Sequence, residues 1–308
     1  MKFKIIHRTE YSYNADVSFC HNIATIVPRE SPGQRLLDCS IHISPTPAPT
    51  DISERTDFFG NNITRFSLQQ LHRKLEVTST SIVERNYTQI HDSFYTDACK
   101  RVTLSQAVSI LNKNYPDIID AKQYILDSIL IRNTEDAIRE YASLSFKPER
   151  SIFEAAYELM QRIYTDFDFV PDLTNVSTPI SEVMKEKKGV CQDFAQIAIA
   201  CIRSVGLPAR YISGYIETLP PLGKEKLIGT DASHAWFAIF VPGFGWVDFD
   251  PTNNQIPNNQ HVVVGWGRDY YDVPPLKGVV YSSGKSELKV SVDIRPVEES
   301  FQLQSQQQ

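Results

Sequence analysis

Three residues in the second half of the chain have the types and the spacing for nucleophilic chemistry: Cys191, His234 and Asp250. Cys191 opens the run C-Q-D-F-A-Q-I-A-I-A-C-I, in which apolar residues lie all round a helix. Such a helix is buried inside its domain. A cysteine in its first turn meets free backbone N–H groups and the positive end of the helix dipole. Both favour the thiolate, the nucleophilic form. The plain structural role of a cysteine, a small buried hydrophobe, fits Cys201 better, since it lies inside the apolar run. Gln192 and Asp193 share the first turn with Cys191.

A thiol nucleophile needs a base. Of the histidines His7, His21, His42, His72, His91, His234 and His261, only His234 has a partner in view. It precedes the strand-like run Ala235 to Val241. Pro242-Gly243-Phe244-Gly245 then signals a turn, and Trp246 to Asp250 reads as the returning strand. Asp248 and Asp250 share a face, because strand side chains alternate. Asp250 lies further back towards His234, which makes it the preferred carboxylate to orient the imidazole and stabilise its charged form. The other histidines are read as surface or satisfied groups. Trp236 and Trp246 stand near both, either as packing or as a dry wall that strengthens polar contacts. No C-x-x-C pair and no paired His/Cys ligand spacing points to zinc.

Four segments, G-V-C-Q-D-F-A at 189–195, S-V-G-L-P-A-R-Y-I-S-G-Y at 204–215, S-H-A-W-F at 233–237 and G-W-V-D-F-D-P-T at 245–252, together resemble the core of the transglutaminase-like superfamily. The order Cys, His, Asp matches, as do the spacings, 43 residues from Cys191 to His234 and 16 from His234 to Asp250. D-F-F-G-N-N at 57–62 and G-W-G-R-D-Y-Y-D-V-P-P-L-K-G at 265–278 resemble bacterial members, so the likeness spans nearly the whole chain. The resemblance implies an α+β fold with a papain-like core, its cysteine on a helix and its His and Asp on an adjacent antiparallel sheet. It also implies a triad of Cys191, His234 and Asp250 and acyl transfer on peptide or isopeptide amides through a thioester, with no metal or organic cofactor. Water as acceptor gives a peptidase or amidase, and an amine gives a transglutaminase. A binding module that keeps the fold without the chemistry is the remaining alternative. Animal transglutaminases place an oxyanion-stabilising tryptophan before the cysteine, whereas Trp236, Trp246 and Trp266 all follow it here. The expected oxyanion donors are therefore the Cys191 N–H and an upstream side chain, for which Tyr164 is the candidate. Gln192 and Trp236 are further cleft candidates. Hydrolysis is favoured: without the upstream tryptophan, and with a Pro-, Gly- and Lys-containing connection from Thr218 to Asp231, water at ~55 M outcompetes an amine.

The elements that must position these residues follow from the pattern of the whole chain. Up to about Arg85, short alternating runs such as Phe3-Lys4-Ile5 and Leu75-Glu76-Val77-Thr78 predict an antiparallel β-sandwich, with a turn at 57–62 and a loop at 44–50. That part shows no catalytic cluster. Helical signals begin after Leu104. Ser151 caps a helix that buries Ile152, Ala155, Ala156, Leu159 and Ile163. Thr178-Pro179 starts another, with Lys185, Lys187 and Lys188 as its solvated end. Arg268 to Tyr271 reads as an ion-paired surface loop or an edge of the cleft. The expected organisation is a β-rich domain over 1–98 and a catalytic domain over 99–308, whose core begins near 150. The glutamine-rich end, 302–308, reads as a tail.

Composition bounds the rest. The 308 residues are 42% hydrophobic and 22% charged, ordinary for a globular protein of about two domains. The net charge of −6 argues against nucleic-acid or anionic-membrane binding as the main role. No apolar stretch reaches the ~20 residues of a membrane span, and the start M-K-F-K-I-I-H-R-T-E is too brief for a signal core. Five scattered cysteines argue against a disulfide framework. The expectation is a cytoplasmic enzyme whose partner is a peptide or protein substrate.

Overall fold

In the computed structural model, which describes residues 1–86, 96–113, 115–132, 135–171, 173–218 and 232–297, the early alternating runs form two four-stranded antiparallel sheets. The first contains β1 (Lys2–Val17), β3 (Gln34–Ser44), β6 (His72–Arg85) and β14 (Ser286–Pro296), in the order β14-β1-β6-β3. The second contains β2 (Phe19–Ala24), β4 (Ile52–Thr56), β5 (Asn62–Leu68) and β13 (Leu276–Tyr281), in the order β13-β2-β5-β4. Val17, Cys20, Phe66, Leu68, Leu75 and Val77 are buried in one shared cluster. Burial of such side chains is the main term that holds two sheets together.

Two of these eight strands come from residues 276–296. The division at 98/99 places them with the later part, but they hydrogen bond to β1 and β2. Both are edge strands. β14 buries only Val292, Asp293 and Ile294, and β13 buries nothing fully. One-sided edge strands carry little of the period-2 signal from which a β-rich segment is read.

The later part builds a helical layer on a third antiparallel sheet. Its strands β9 (Ala209–Ile216), β10 (Ala232–Val241), β11 (Gly245–Phe249) and β12 (His261–Gly267) run in the order β11-β10-β9-β12. The helices are α1 (Leu104–Leu111), α2 (Pro116–Lys122), α3 (Asp136–Ser145), α4 (Ile152–Asp166), α5 (Ile180–Glu186) and α6 (Cys191–Ser204). Ser151 Oγ caps α4 by accepting the Glu154 N–H at 3.3 Å, and the expected apolar face is buried. α6 is buried from Asp193 to Arg203 and packs on Tyr211, Ala235, Phe237 and Ile239. Arg203 in its last turn donates to the carbonyls of Ala209 and Arg268, at 2.9 and 2.5 Å. It thereby ties the end of the helix to the sheet. A short parallel pair, β7 (Asp168–Phe169) and β8 (Lys188–Gly189), leads into α6. The end of α5 is not fully solvated. Lys187 takes a left-handed turn at φ +55° and sets its ammonium over the rings of Tyr141 and Phe167, 4.3 Å from each centroid.

The two parts are joined by packing and by side-chain amides. Phe3, Ile5, Val83 and Ile294 pack against Tyr215, Val262 and Val264. Asn61, in the turn at 57–62, accepts the Trp266 N–H at 2.9 Å and donates to the Trp266 carbonyl at 2.8 Å. Gln34 makes the same pair of bonds to the backbone of Val263, at 2.9 and 2.7 Å. Each amide continues the hydrogen bonding of β12 as a neighbouring strand would. The connection from Thr218 to Asp231 (residues 219–231), His91 and the tail 302–308 lie outside the described residues. Among the described residues no helix is long and apolar enough to cross a membrane.

Candidate active site

Cys191 is the first residue of α6 and His234 the third of β10. Cys191 and His234 both line a cleft of about 270 Å³, and the cysteine is near enough to help raise the imidazole's pKa. Asp193, three residues into the helix turn, accepts the Val190 N–H at 2.8 Å and the Thr174 hydroxyl at 2.5 Å. That folded-back carboxylate fixes the helix start. The Cys191 and Gln192 N–H groups donate to no partner among the described residues, and they precede the first backbone bonds of the helix, those of Asp193 and Phe194 to the Val190 carbonyl. Two donors are thus available beside the sulfur.

The hairpin places Asp250 as the alternation predicted. Phe237 pairs with Phe249 and Ala238 with Asp248, which carries Asp250 back alongside β10. His234 Nε2 donates to Asp250 Oδ2 at 2.8 Å, which leaves Nδ1 for the sulfur. Asp248 is engaged elsewhere, accepting the Trp236 Nε1–H at 3.1 Å.

Asp250 is fully buried and held by five donors. Its Oδ1 accepts the N–H groups of Thr252 and Asn253, at 3.0 and 3.3 Å. Its Oδ2 accepts His234, Asn253 Nδ2 at 2.7 Å and His261 Nε2 at 3.1 Å. His261 Nδ1 in turn accepts the Asn258 N–H at 3.2 Å. That bond fixes His261 as the neutral tautomer protonated at Nε2. Burial alone would push the Asp250 carboxyl up, but the charge and hydrogen bond of His234, with the bond from His261, hold it well below the carboxylate range. Burial would likewise push His234 down, and the Asp250 charge overrides it, so His234 stays protonated far above neutrality. Burial pushes His261 down. One carboxylate therefore serves one charged and one neutral imidazole. The ligand atoms of His234, Asp250 and His261 lie within 4.8 Å of one another, a spacing that could also hold a divalent cation. All three are buried, and the hydrogen bonds among them already satisfy the carboxylate.

The remaining expectations divide. Gln192 lines the cleft beside Cys191. Tyr164 does not: it is 52% exposed on α4, because the buried face of that helix runs through Leu159, Met160 and Ile163. Trp236 is fully buried behind His234, 6.0 Å between ring centroids, and lines no part of the opening. His261, read as a surface or satisfied group, is a partner of Asp250. Tyr211, which the sequence did not single out, is buried in the cleft wall, where burial first and then Cys191 raise its phenol well above its ordinary value. Arg268 pairs with Asp272 at 2.9 Å while Tyr270 lines the cleft, so the 268–271 segment fills both of its expected roles. The opposite wall comes from the β-sandwich: Thr9 and Tyr11 of β1, Leu276 of β13, and Leu288 and Val290 of β14. The β-sandwich, whose early strands carry no catalytic cluster, supplies this wall of the cleft.

Two family descriptions match this architecture, the bacterial transglutaminase-like N-terminal region over residues 3–84 and the transglutaminase-like superfamily over residues 140–251. Rv2569c of Mycobacterium tuberculosis is 39% identical over 312 residues, covering 96% of this chain and 93% of its own. The chain belongs to the transglutaminase-like superfamily. Within this family, ML0607 of Mycobacterium leprae is 27% identical over 298 residues, 95% of this chain and 98% of that one. A protein-glutamine gamma-glutamyltransferase of Pseudomonas aeruginosa is 33% identical over 72 residues, only 23% of this chain and 11% of that protein. The fold matches a crystal structure of a candidate cysteine protease from Cytophaga hutchinsonii, with TM-score 0.73 and 22% identity over 97% of this chain and 92% of the other.

Proposed function

We propose that this transglutaminase-like protein is a cysteine-dependent amidase or peptidase acting on peptide or isopeptide amides. The observation that carries the reading is that Cys191, at a helix start, and His234, bonded to the buried Asp250, line one cleft. Cys191 attacks the amide carbonyl, and the tetrahedral oxyanion is held by the Cys191 N–H, with the neutral Tyr211 hydroxyl as second donor. His234, charged beside Asp250, protonates the leaving amine and leaves a thioester. It then takes a proton from the acceptor, and the thiol is regenerated.

Water is the proposed acceptor. A transamidase must shield its thioester from ~55 M water. Among the described residues no tryptophan lines the cleft. The transferase activity named for the Pseudomonas aeruginosa relative makes an amine acceptor the second reading. Incubation with glutamine-containing peptides and a millimolar labelled primary amine separates the two. Hydrolysis predicts free acid and ammonia in excess of labelled product. Labelled product in excess, dependent on Cys191, would replace the peptidase with a transglutaminase. Absence of any acyl-enzyme on Cys191 would favour a binding module.

A further inference from the structure

A second and larger cavity, about 610 Å³, lies across the central sheet from α6, within the size range of small-molecule sites. Its wall follows from strand alternation. Tyr211, Ala235, Phe237 and Phe249 face α6, so Arg210, Ile212, Trp246 and Asp248 face the other way. Tyr124 and Trp266 complete an aromatic lining.

Two arginines are buried in this wall. Arg210, 7% exposed, lies over both Trp266 and Trp246, with its guanidinium carbon 3.8 and 4.5 Å from their ring centroids. It makes no hydrogen bond among the described residues, and its Nε is buried without a partner. Arg85, 3% exposed, also has an unpartnered Nε. Its remaining bonds, to Gln34 Oε1 and the Asn258 carbonyl, are long at 3.4 and 3.3 Å. A guanidinium held over aromatic rings keeps its N–H edges for in-plane bonds to a carboxylate. Against these two cations the interior offers, among the described residues, one carboxylate, Asp248. Asp117 and Asp120 lie exposed at the rim. Burying a charge without a counter-charge is costly, and the surplus is about one positive charge.

We propose that this cavity binds a small amphipathic monocarboxylate, its carboxylate on Arg210 and Arg85 and its apolar or aromatic body against Trp246, Tyr124 and Ile212. A dianion such as a phosphate monoester fits less well, because Asp248 shares the cavity and would repel the second charge. The site is separate from Cys191 and does not depend on the reaction proposed there.

The test is tryptophan fluorescence titration of the full chain with 4-phenylbutyrate, 4-phenylbutyramide and phenyl phosphate at pH 8, since two of the three tryptophans line the cavity. The expected result is saturable binding of the carboxylate, at least tenfold tighter than the amide or the phosphate. It should be unchanged after Cys191 is alkylated. Arg210→Lys, which keeps the charge and loses the planar fork, should weaken the carboxylate at least fivefold. Equal affinity for amide and carboxylate, no saturable binding, tighter binding of the phosphate, or loss of binding on Cys191 alkylation would each overturn the proposal. The first three comparisons need only the unaltered protein, so they stand even if the variant fails to fold.

Discussion

Cys191 has four rivals for a thiol reagent, and none has its surroundings: Cys20 and Cys99 are buried, which raises both thiols. Cys201 is fully buried, and burial pushes its thiol up to about 12. Cys39 is exposed, but partial burial and then Glu54 and Asp38 raise it. Iodoacetamide at neutral pH should therefore label Cys191 first by peptide mapping, and Cys39 labelled first would remove the basis for a nucleophile. Cys191→Ala should abolish turnover, by at least ~10⁴-fold, while circular dichroism and melting stay close to the parent. His234→Ala should cost about as much, because the pair acts as one unit. Asp250→Asn should cost ~10²- to 10⁴-fold in kcat, by disturbing the orientation and charge of the imidazole. Asp248→Asn should stay within about tenfold, since Asp248 bonds to Trp236 and not to His234. His261 is a positioning residue, and its replacement should cost ~10- to 100-fold. His261→Gln can donate to Asp250 and accept from Asn258 as the imidazole does, so it should recover most of what His261→Leu loses. The Leu variant should also shift the pH profile of kcat, which a purely structural role would leave in place.

At the scale of elements, local signals were legible and distant ones were not. The hairpin from His234 to Asp250 was readable because strand parity, a Pro-Gly turn and a short connection fix which side chains meet. α6 was readable because its apolar residues surround it. His261 was not, because β12 joins the sheet beside β9 and not beside its neighbour in sequence, β11. Nothing local tells that this ring reaches Asp250. The cleft wall from β1 and β14 was hidden for the same reason, whereas Tyr164 lies off the apolar face that the helix period gives, which already places it away from the core. The start of α6 gives a test at this scale. A Cβ on Gly189 would stand 2.7 Å from Asp193 Oδ2 and 2.9 Å from Asp193 Cβ. It would push away the carboxylate that holds Val190, beside Cys191. Gly189→Ala should lower kcat/KM by ~10-fold or more and depress the melting temperature. Gly206, past the other end of the helix, takes φ +80° and has nothing within 4 Å of an added Cβ. Gly206→Ala should cost about 1–2 kcal/mol of stability through left-handed strain and leave kcat unchanged. Equal effects on kcat would mean that the Asp193 clamp does not position the cysteine.

Over the whole molecule the two parts meet at a buried histidine, and this makes their union sensitive to acid. His7 of β1 lies at the joint with β9, its Nδ1 3.0 Å from the Tyr215 hydroxyl and its Nε2 2.9 Å from Thr9 Oγ1. The Tyr215 hydroxyl donates to the Ile26 carbonyl at 3.1 Å, so His7 must donate to Tyr215 from Nδ1 and accept from Thr9 at Nε2. A second proton would require the Thr9 hydroxyl to turn and accept, and would put a charge inside the joint; burial lowers the pKa of His7 to about 4. The unfolded chain, with a value near 6.5, takes up a proton below that pH that the folded chain refuses. Stability from this group is therefore whole above about 6.5 and falls as the pH drops towards about 4. His234 works in the opposite direction: its raised value gives stability that is full below about 6.5 and is lost as the medium turns strongly alkaline. Asp250, held low, contributes above its unfolded value near 4 and loses that only in stronger acid. His7 and His261, both lowered by burial, thus weaken the fold between 6.5 and 4, while the carboxyls of Asp193 and Asp248, raised by burial, act in the opposite sense. His7→Gln keeps one donor and one acceptor without a titrating group. Urea unfolding at pH 7 and pH 4.5 should show the parent losing about 2–3 kcal/mol more than the variant. Thr9, two residues on, stands in the cleft wall, so acid that charges His7 also loosens β1 from β9 beside Cys191. Activity should consequently fall below pH 6 in the parent more steeply than in His7→Gln. Identical acid limbs in both proteins, for stability and for turnover, would place the sensitivity at Asp250 and its two histidines instead of at the joint.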